Sequence, residues 1–124
     1  MRIRIATVAA LLVLSAAPAA FAGQKIMASA PANNQYPTLQ SMRCNIVNLN
    51  STTKSVTIDV IDYNGVALES GGPYALSSLQ SVSYLVSTPF AAYCRFTVDG
   101  NPKKYRAVAT YDNGTSYTTI NVAP

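Results

Sequence analysis

The sequence predicts an all-β fold, a two-sheet sandwich of about seven to eight short antiparallel strands with one disulfide. Three observations predict it. Apolar and polar residues alternate in short runs from Leu39 to Val122. Turn signals such as Asn64-Gly65, Gly71-Gly72-Pro73 and Asp99-Gly100 punctuate those runs. The only two cysteines, Cys44 and Cys94, each sit on the apolar side of a run. No segment carries convincing helical periodicity.

The first residues belong to another category. Arg2 and Arg4 precede an apolar run from Ile5 to Leu14, and Ala20-Phe21-Ala22 supplies a small-x-small cleavage pattern. This is the signature of a secretory signal peptide over 1–22 with cleavage near Ala22. The run is too short and alanine-rich for a membrane anchor, and no second stretch of about 18 apolar residues follows. The cleavage site lacks a cysteine, which argues against a lipid anchor. The expected address is secreted or periplasmic, and the style of the signal is bacterial. Removing 22 residues from 124 leaves 102, enough for one domain with a modest core. The expected organisation is a signal over 1–22, a flexible N-terminal arm or edge strand over 23–38, and the sandwich over 39–124.

Within the arm, Lys25 to Ser29 reads as a short edge strand and Pro31 to Pro37 as a linker. Met42, Cys44 and Ile46 then alternate with Arg43, Asn45 and Val47, placing Cys44 toward the core. After the turn Asn50-Ser51-Thr52-Thr53, Val56, Ile58 and Val60 alternate with Thr57, Asp59 and Ile61. Asn64-Gly65 predicts a hairpin with a type I′ turn, which needs positive φ at both central residues. Val66 to Glu69 resumes and Gly71-Gly72-Pro73 is expected to break the chain. Leu79 to Ser87 is a strand with Val82, Tyr84 and Val86 on one face, ended by Pro89. In Tyr93 to Val98, Cys94, Phe96 and Val98 face one way and Tyr93, Arg95 and Thr97 the other. Tyr105 to Tyr111 returns after a turn at Asp99-Gly100-Asn101-Pro102. Asp112-Asn113-Gly114 turns again into Tyr117 to Val122.

An oxidising compartment favours a Cys44–Cys94 bridge. It closes a loop of about 50 residues, which the chain-entropy relation values at roughly 4 kcal/mol. The bridge joins either the two sheets through the interior or neighbouring strands of one sheet; the first suits a small core better.

The segments Cys44-Asn45-Ile46-Val47-Asn48, Asp62-Tyr63-Asn64-Gly65, Tyr93-Cys94-Arg95-Phe96-Thr97-Val98 and Tyr105-Arg106-Ala107 carry a family likeness. With them the chain resembles small secreted bacterial immunoglobulin-like or fibronectin-III-like sandwiches, many without an assigned function. The likeness implies an immunoglobulin-like architecture and transfers no functional residue. It departs from antibody domains in having no tryptophan, and its tyrosine immediately precedes the second cysteine rather than lying two positions before it.

The sequence excludes much chemistry. With no histidine there is no Ser-His-Asp triad, no Cys-His dyad and no histidine metal or blue-copper site. P-loop and dinucleotide fingerprints are missing. Asp59 and Asp62 alternate to opposite faces of a strand and do not pair as glycosidase carboxylates. Asp62, Asp99 and Asp112 suit turns, as do Asn64, Asn101 and Asn113, so no metal or other cofactor is expected. Asn50-Ser51-Thr52 and Asn113-Gly114-Thr115 match the glycosylation sequon, which in a bacterial protein reads as a turn sequence.

The functional lead is aromatic. Eight tyrosines follow the signal, and tyrosine pairs a flat apolar ring with a polar tip that suits interfaces. The same residue type also fills ordinary strand positions. Tyr93 and Arg95 share one face; Tyr63 and Tyr117 are expected to point outward with them, and Arg106 sits among apolar neighbours. These five are the candidate binding residues. Beyond the signal, seven basic residues oppose five acids, a net charge of +2, which does not indicate nucleic acid. The expected function is a non-enzymatic binding module for a protein or polysaccharide of the cell envelope. The alternative is an assembly subunit self-associating by strand addition through its N-terminal arm.

Overall fold

The computed structural model describes residues 23–30, 41–87, 91–112 and 117–124. The signal segment, the Pro31–Pro37 linker, Pro89 and the Asn113-Gly114 turn lie outside them. The described chain is a β-sandwich of two four-stranded antiparallel sheets. Its strands are β1 (Gln24–Ala28), β2 (Ser41–Asn48), β3 (Lys54–Asp62), β4 (Ala67–Leu76), β5 (Ser81–Val86), β6 (Ala92–Asp99), β7 (Tyr105–Asp112) and β8 (Tyr117–Val122). The first sheet has the order β1-β6-β3-β4 and the second β5-β2-β7-β8. Among the described residues no helix is long and apolar enough to cross a membrane.

Alternation decides which side chains meet. Met42, Cys44 and Ile46 of β2 face Val56, Ile58 and Val60 of β3 and Cys94, Phe96 and Val98 of β6 across the interior. Each of these is almost completely removed from water. Met27 of β1 fills the core beside Phe96, its cross-strand partner. The predicted arm strand is therefore an integral edge of the first sheet. The disulfide Cys44–Cys94 joins β2 to β6, with Cα atoms 5.8 Å apart, and so crosses between the sheets.

Two local features differ from the sequence reading. Gly71-Gly72-Pro73 does not break the chain: β4 runs through it with register shifts against β3, at an edge where proline's missing N–H removes no ladder bond. The Gly72–Pro73 peptide is cis. A Cβ at Gly71 would lie 2.7 Å from the Tyr84 ring, so any side chain there must displace that ring. The β3–β4 hairpin is also not type I′. Only Gly65 has positive φ, at +81°, and Asn64 does not. Gly65 N–H donates to the Asp62 carbonyl, and Asp62 N–H to the Val66 carbonyl, closing a type I turn followed by a glycine bulge. Asp62 Oδ1 accepts from the N–H groups of Asn64 and Val66, a role that favours the αR turn over the mirror-image one.

The passage from β6 to β7 is held by tyrosine. Tyr105 is buried, and its hydroxyl donates to the carbonyl of Asp99, six residues upstream, at 2.5 Å. This is the work a tyrosine corner does in other sandwiches, performed here from the strand after the second cysteine. Burial pushes the Tyr105 hydroxyl above its usual pKa; the Asp99 charge adds to this and a hydrogen bond with Asn50 opposes it.

Replacing Cys94 with Ser is expected to lower stability by about 2–5 kcal/mol in urea unfolding; a change within error would show that the bridge contributes nothing. The raised Tyr105 pKa sets an alkaline limit. The unfolded chain releases that proton first, so its contribution is complete below pH 10 and declines as pH rises through the folded-state value. Tyr105→Phe is expected to flatten the loss of stability above pH 10, and an unaltered slope would refute the assignment.

Candidate functional site

The candidate residues fall on different surfaces. Tyr93 and Arg95, from β6, lie on the outer face of the first sheet. Tyr117 and Arg106, from β8 and β7, lie on the outer face of the second. Tyr63 stands at the β3–β4 turn and is exposed. Tyr117 therefore does not join Tyr93 and Arg95 in one patch, because β8 pairs with β7 in the other sheet.

Arg95 is already engaged. Its Nε and Nη2 donate to Asp59 Oδ2 at 3.1 and 3.0 Å. Asp59 and Arg95 are cross-strand partners of β3 and β6, and Ser70 Oγ of β4 donates to Asp59 Oδ1 at 2.6 Å. Asp59 is buried and Arg95 half-buried. Beside this pair Ile61 is 1 % exposed, although it faces away from the sandwich core. The face thus carries a structural charge pair, and an alanine at Arg95 would leave the Asp59 carboxylate without its counter-charge.

The second sheet presents a more open surface. Inward-facing positions of β2 and β7 are buried, so Ser41, Arg43 and Asn45 alternate outward from β2, and Arg106, Val108, Thr110 and Asp112 from β7. Ser41, Arg43, Asn45, Thr110 and Asp112 line a hollow of about 510 Å³ whose rim is Leu85 of β5 and Tyr117 of β8. A second hollow of about 300 Å³ adjoins it at Asn45, lined by Val47, Ser81, Ser83, Arg106 and Val108. Arg106 Nη1 donates to the carbonyls of Lys103 and Tyr105, which fixes its guanidinium over this end of the sheet. The furrow offers hydroxyls, amides, a guanidinium and a carboxylate, with an exposed phenol ring and a leucine at its margin. Such a set can hydrogen-bond a polyhydroxyl chain and stack against a ring face.

Arg43, Asn45 and Leu85 had no distinguishing pattern in the sequence; only the register of β5-β2-β7 brings them together. The Asp and Asn residues of the hairpins are separated: Asp62 and Asp112 lie at one end of the sandwich, Asp99 and Asn101 at the other. Asn101 Oδ1 accepts from Lys103 N–H, a turn role. The sequon residue Asn50 is buried, with Nδ2 donating to Asn48 Oδ1 at 2.8 Å. Tyr84, between the sheet edges, has its pKa raised by burial first and then by the nearby Glu69 charge. No family model, curated protein or solved structure matches the chain.

The charge pair yields a direct expectation. Asp59→Ala and Arg95→Ala should each destabilise by about 1–2 kcal/mol, discounted for Arg95's partial exposure, and the double variant by less than both together. A urea double-mutant cycle reads the coupling, and strict additivity would show that the pair contributes nothing.

Proposed function

We propose that the protein acts outside the cytoplasm, secreted or periplasmic, as a non-enzymatic binding module for a polysaccharide of the cell envelope. The disulfide and the signal-like first residues support that address. The observation that carries the ligand class is the furrow across β5-β2-β7-β8, where hydrogen-bonding side chains line the floor and Tyr117 stands at the rim. Polar floors beside an aromatic ring match the alternating hydroxyl edges and apolar faces of a sugar chain. A protein ligand is the competing outcome, and would bury Leu85 and Tyr117 as anchors instead.

The test is capture of fractionated envelope polysaccharide and protein on the oxidised chain. Arg43→Ala with Tyr117→Ala is expected to keep the melting temperature and to weaken polysaccharide binding by about tenfold or more, equivalent to about 1.4 kcal/mol. Equal binding by wild type and double variant would exclude this face.

Strand addition is the second reading, favoured by β1. This edge strand buries Met27, and Ser29 just after it is buried and holds Cys94 through its backbone N–H and its Oγ. The same contacts would form if the strand came from a second copy. Light scattering at rising concentration distinguishes the two, since a strictly monomeric chain excludes the assembly reading.

A further inference from the structure

The weak net charge conceals a separation of charge along the molecule. Seven basic residues are described, and five of them sit at one end of the sandwich. Lys25 lies near the start of β1, Lys54 begins β3, Lys103 and Lys104 form the 3-10 turn Pro102–Lys104, and Arg106 opens β7. Asp99 is the acid at that end. Asp62, Glu69 and Asp112 lie toward the opposite end, and Arg95 is matched by Asp59. Antiparallel topology produces this clustering: β2 and β6 end where β3 and β7 begin, so residues scattered in sequence meet at one pole.

Backbone bonds weld the loops of this pole into one surface. Leu79 N–H donates to the Asn48 carbonyl at 2.7 Å, and Leu49 N–H to the Lys104 carbonyl at 2.9 Å. The buried Asn48 side chain reinforces them. Its Nδ2 donates to the carbonyls of Thr52 and Leu76, and its Oδ1 accepts from Asn50. On this rigid platform Leu79 is 73 % exposed and Leu49 is also exposed. Leu79 has φ +63°, a left-handed conformation that leucine adopts only under strain. Glycine or asparagine would serve the turn without that strain. A solvated leucine gains nothing from packing to offset it, which marks the position as serving something outside the fold.

We propose that this pole docks on an anionic phospholipid surface. The lysines face headgroup phosphates, and Leu79 with Leu49 enters the boundary between headgroups and acyl chains. Charge complementarity selects an anionic partner. The leucines select lipid over a soluble polyanion, which offers an apolar side chain nothing to enter. The inference rests on the lysines and leucines of the pole and shares only Arg106 with the furrow on the second sheet.

The test uses the oxidised chain from Gly23 and vesicles of phosphatidylcholine alone or mixed with phosphatidylglycerol. Binding is expected to the mixed vesicles only, and to weaken as salt rises. Lys103→Glu with Lys104→Glu is expected to weaken it by roughly 25-fold or more, at about fivefold for each lysine. The protein has no tryptophan, so Leu79→Trp places a single reporter at the tip. Its emission should shift to the blue on mixed vesicles and not on neutral ones. Leu79→Ser should lose affinity while its melting temperature holds. No vesicle binding, or equal binding to both compositions, would overturn the proposal. So would retention on dextran sulfate that Leu79→Ser leaves intact, combined with no blue shift on vesicles.

Discussion

The crosslink between Cys44 and Cys94 is the constraint around which the sandwich is organised. Each cysteine belongs to an inner strand: β2 lies between β5 and β7, and β6 between β1 and β3. The bridge therefore fixes the spacing of the two strands to which four others are hydrogen-bonded. Only β4 and β8 attach at one remove. Among the described residues the surrounding core is mostly methionine, valine, isoleucine and alanine, with one leucine, one phenylalanine, two tyrosines and no tryptophan. A core of such modest side chains in a domain of this size gains from a covalent limit on the unfolded ensemble. The tyrosines complete what the bridge begins: Tyr105 pins the β6–β7 crossing, and the single hydroxyl proton of Tyr111 is shared between the Ala30 and Ala92 carbonyls, tying β7 to the first sheet.

Much of this was legible in the sequence because strand alternation is a local property. Met42-Cys44-Ile46, Val56-Ile58-Val60 and Cys94-Phe96-Val98 each declare an inward face within a few residues, and all are buried. The all-β class, the disulfide and its inward placement follow from that. Features that depend on register were not legible. Arg95 looks like a surface arginine until β6 is laid beside β3, which sets Asp59 opposite it. Arg43 and Leu85 acquire a shared surface only through the β2–β5 pairing. The Asn64-Gly65 pair suggested one turn geometry, but Asp62, one residue before the tyrosine, supplied the hydrogen bonds that selected another. Glycines and a proline that signal a break in isolation are accommodated by an edge strand with irregular pairing.

Asn48 illustrates how a polar residue inside a sandwich can organise its periphery. It continues the inward alternation of β2 where an apolar residue would be expected, and it is fully buried. Its amide donates to carbonyls of the β2–β3 loop and of the end of β4, while its oxygen accepts from both Asn50 N–H and Asn50 Nδ2. The loops at this pole are consequently part of the scaffold rather than free connections. The opposite pole, which carries the β3–β4 hairpin, has three of the acidic side chains, Asp62, Glu69 and Asp112.

The place of β1 has a consequence for the order of events during synthesis. Its partner is β6, so Met27 meets Phe96 only after most of the chain has been made. Among the described strands, the first in sequence is one of the last able to pair, and β3 likewise waits for β6 on one side. A chain arrested before Cys94 has neither the bridge nor a complete first sheet. Completing the first sheet therefore relies on contacts between distant parts of the chain, which makes folding slow relative to proteins built from local contacts.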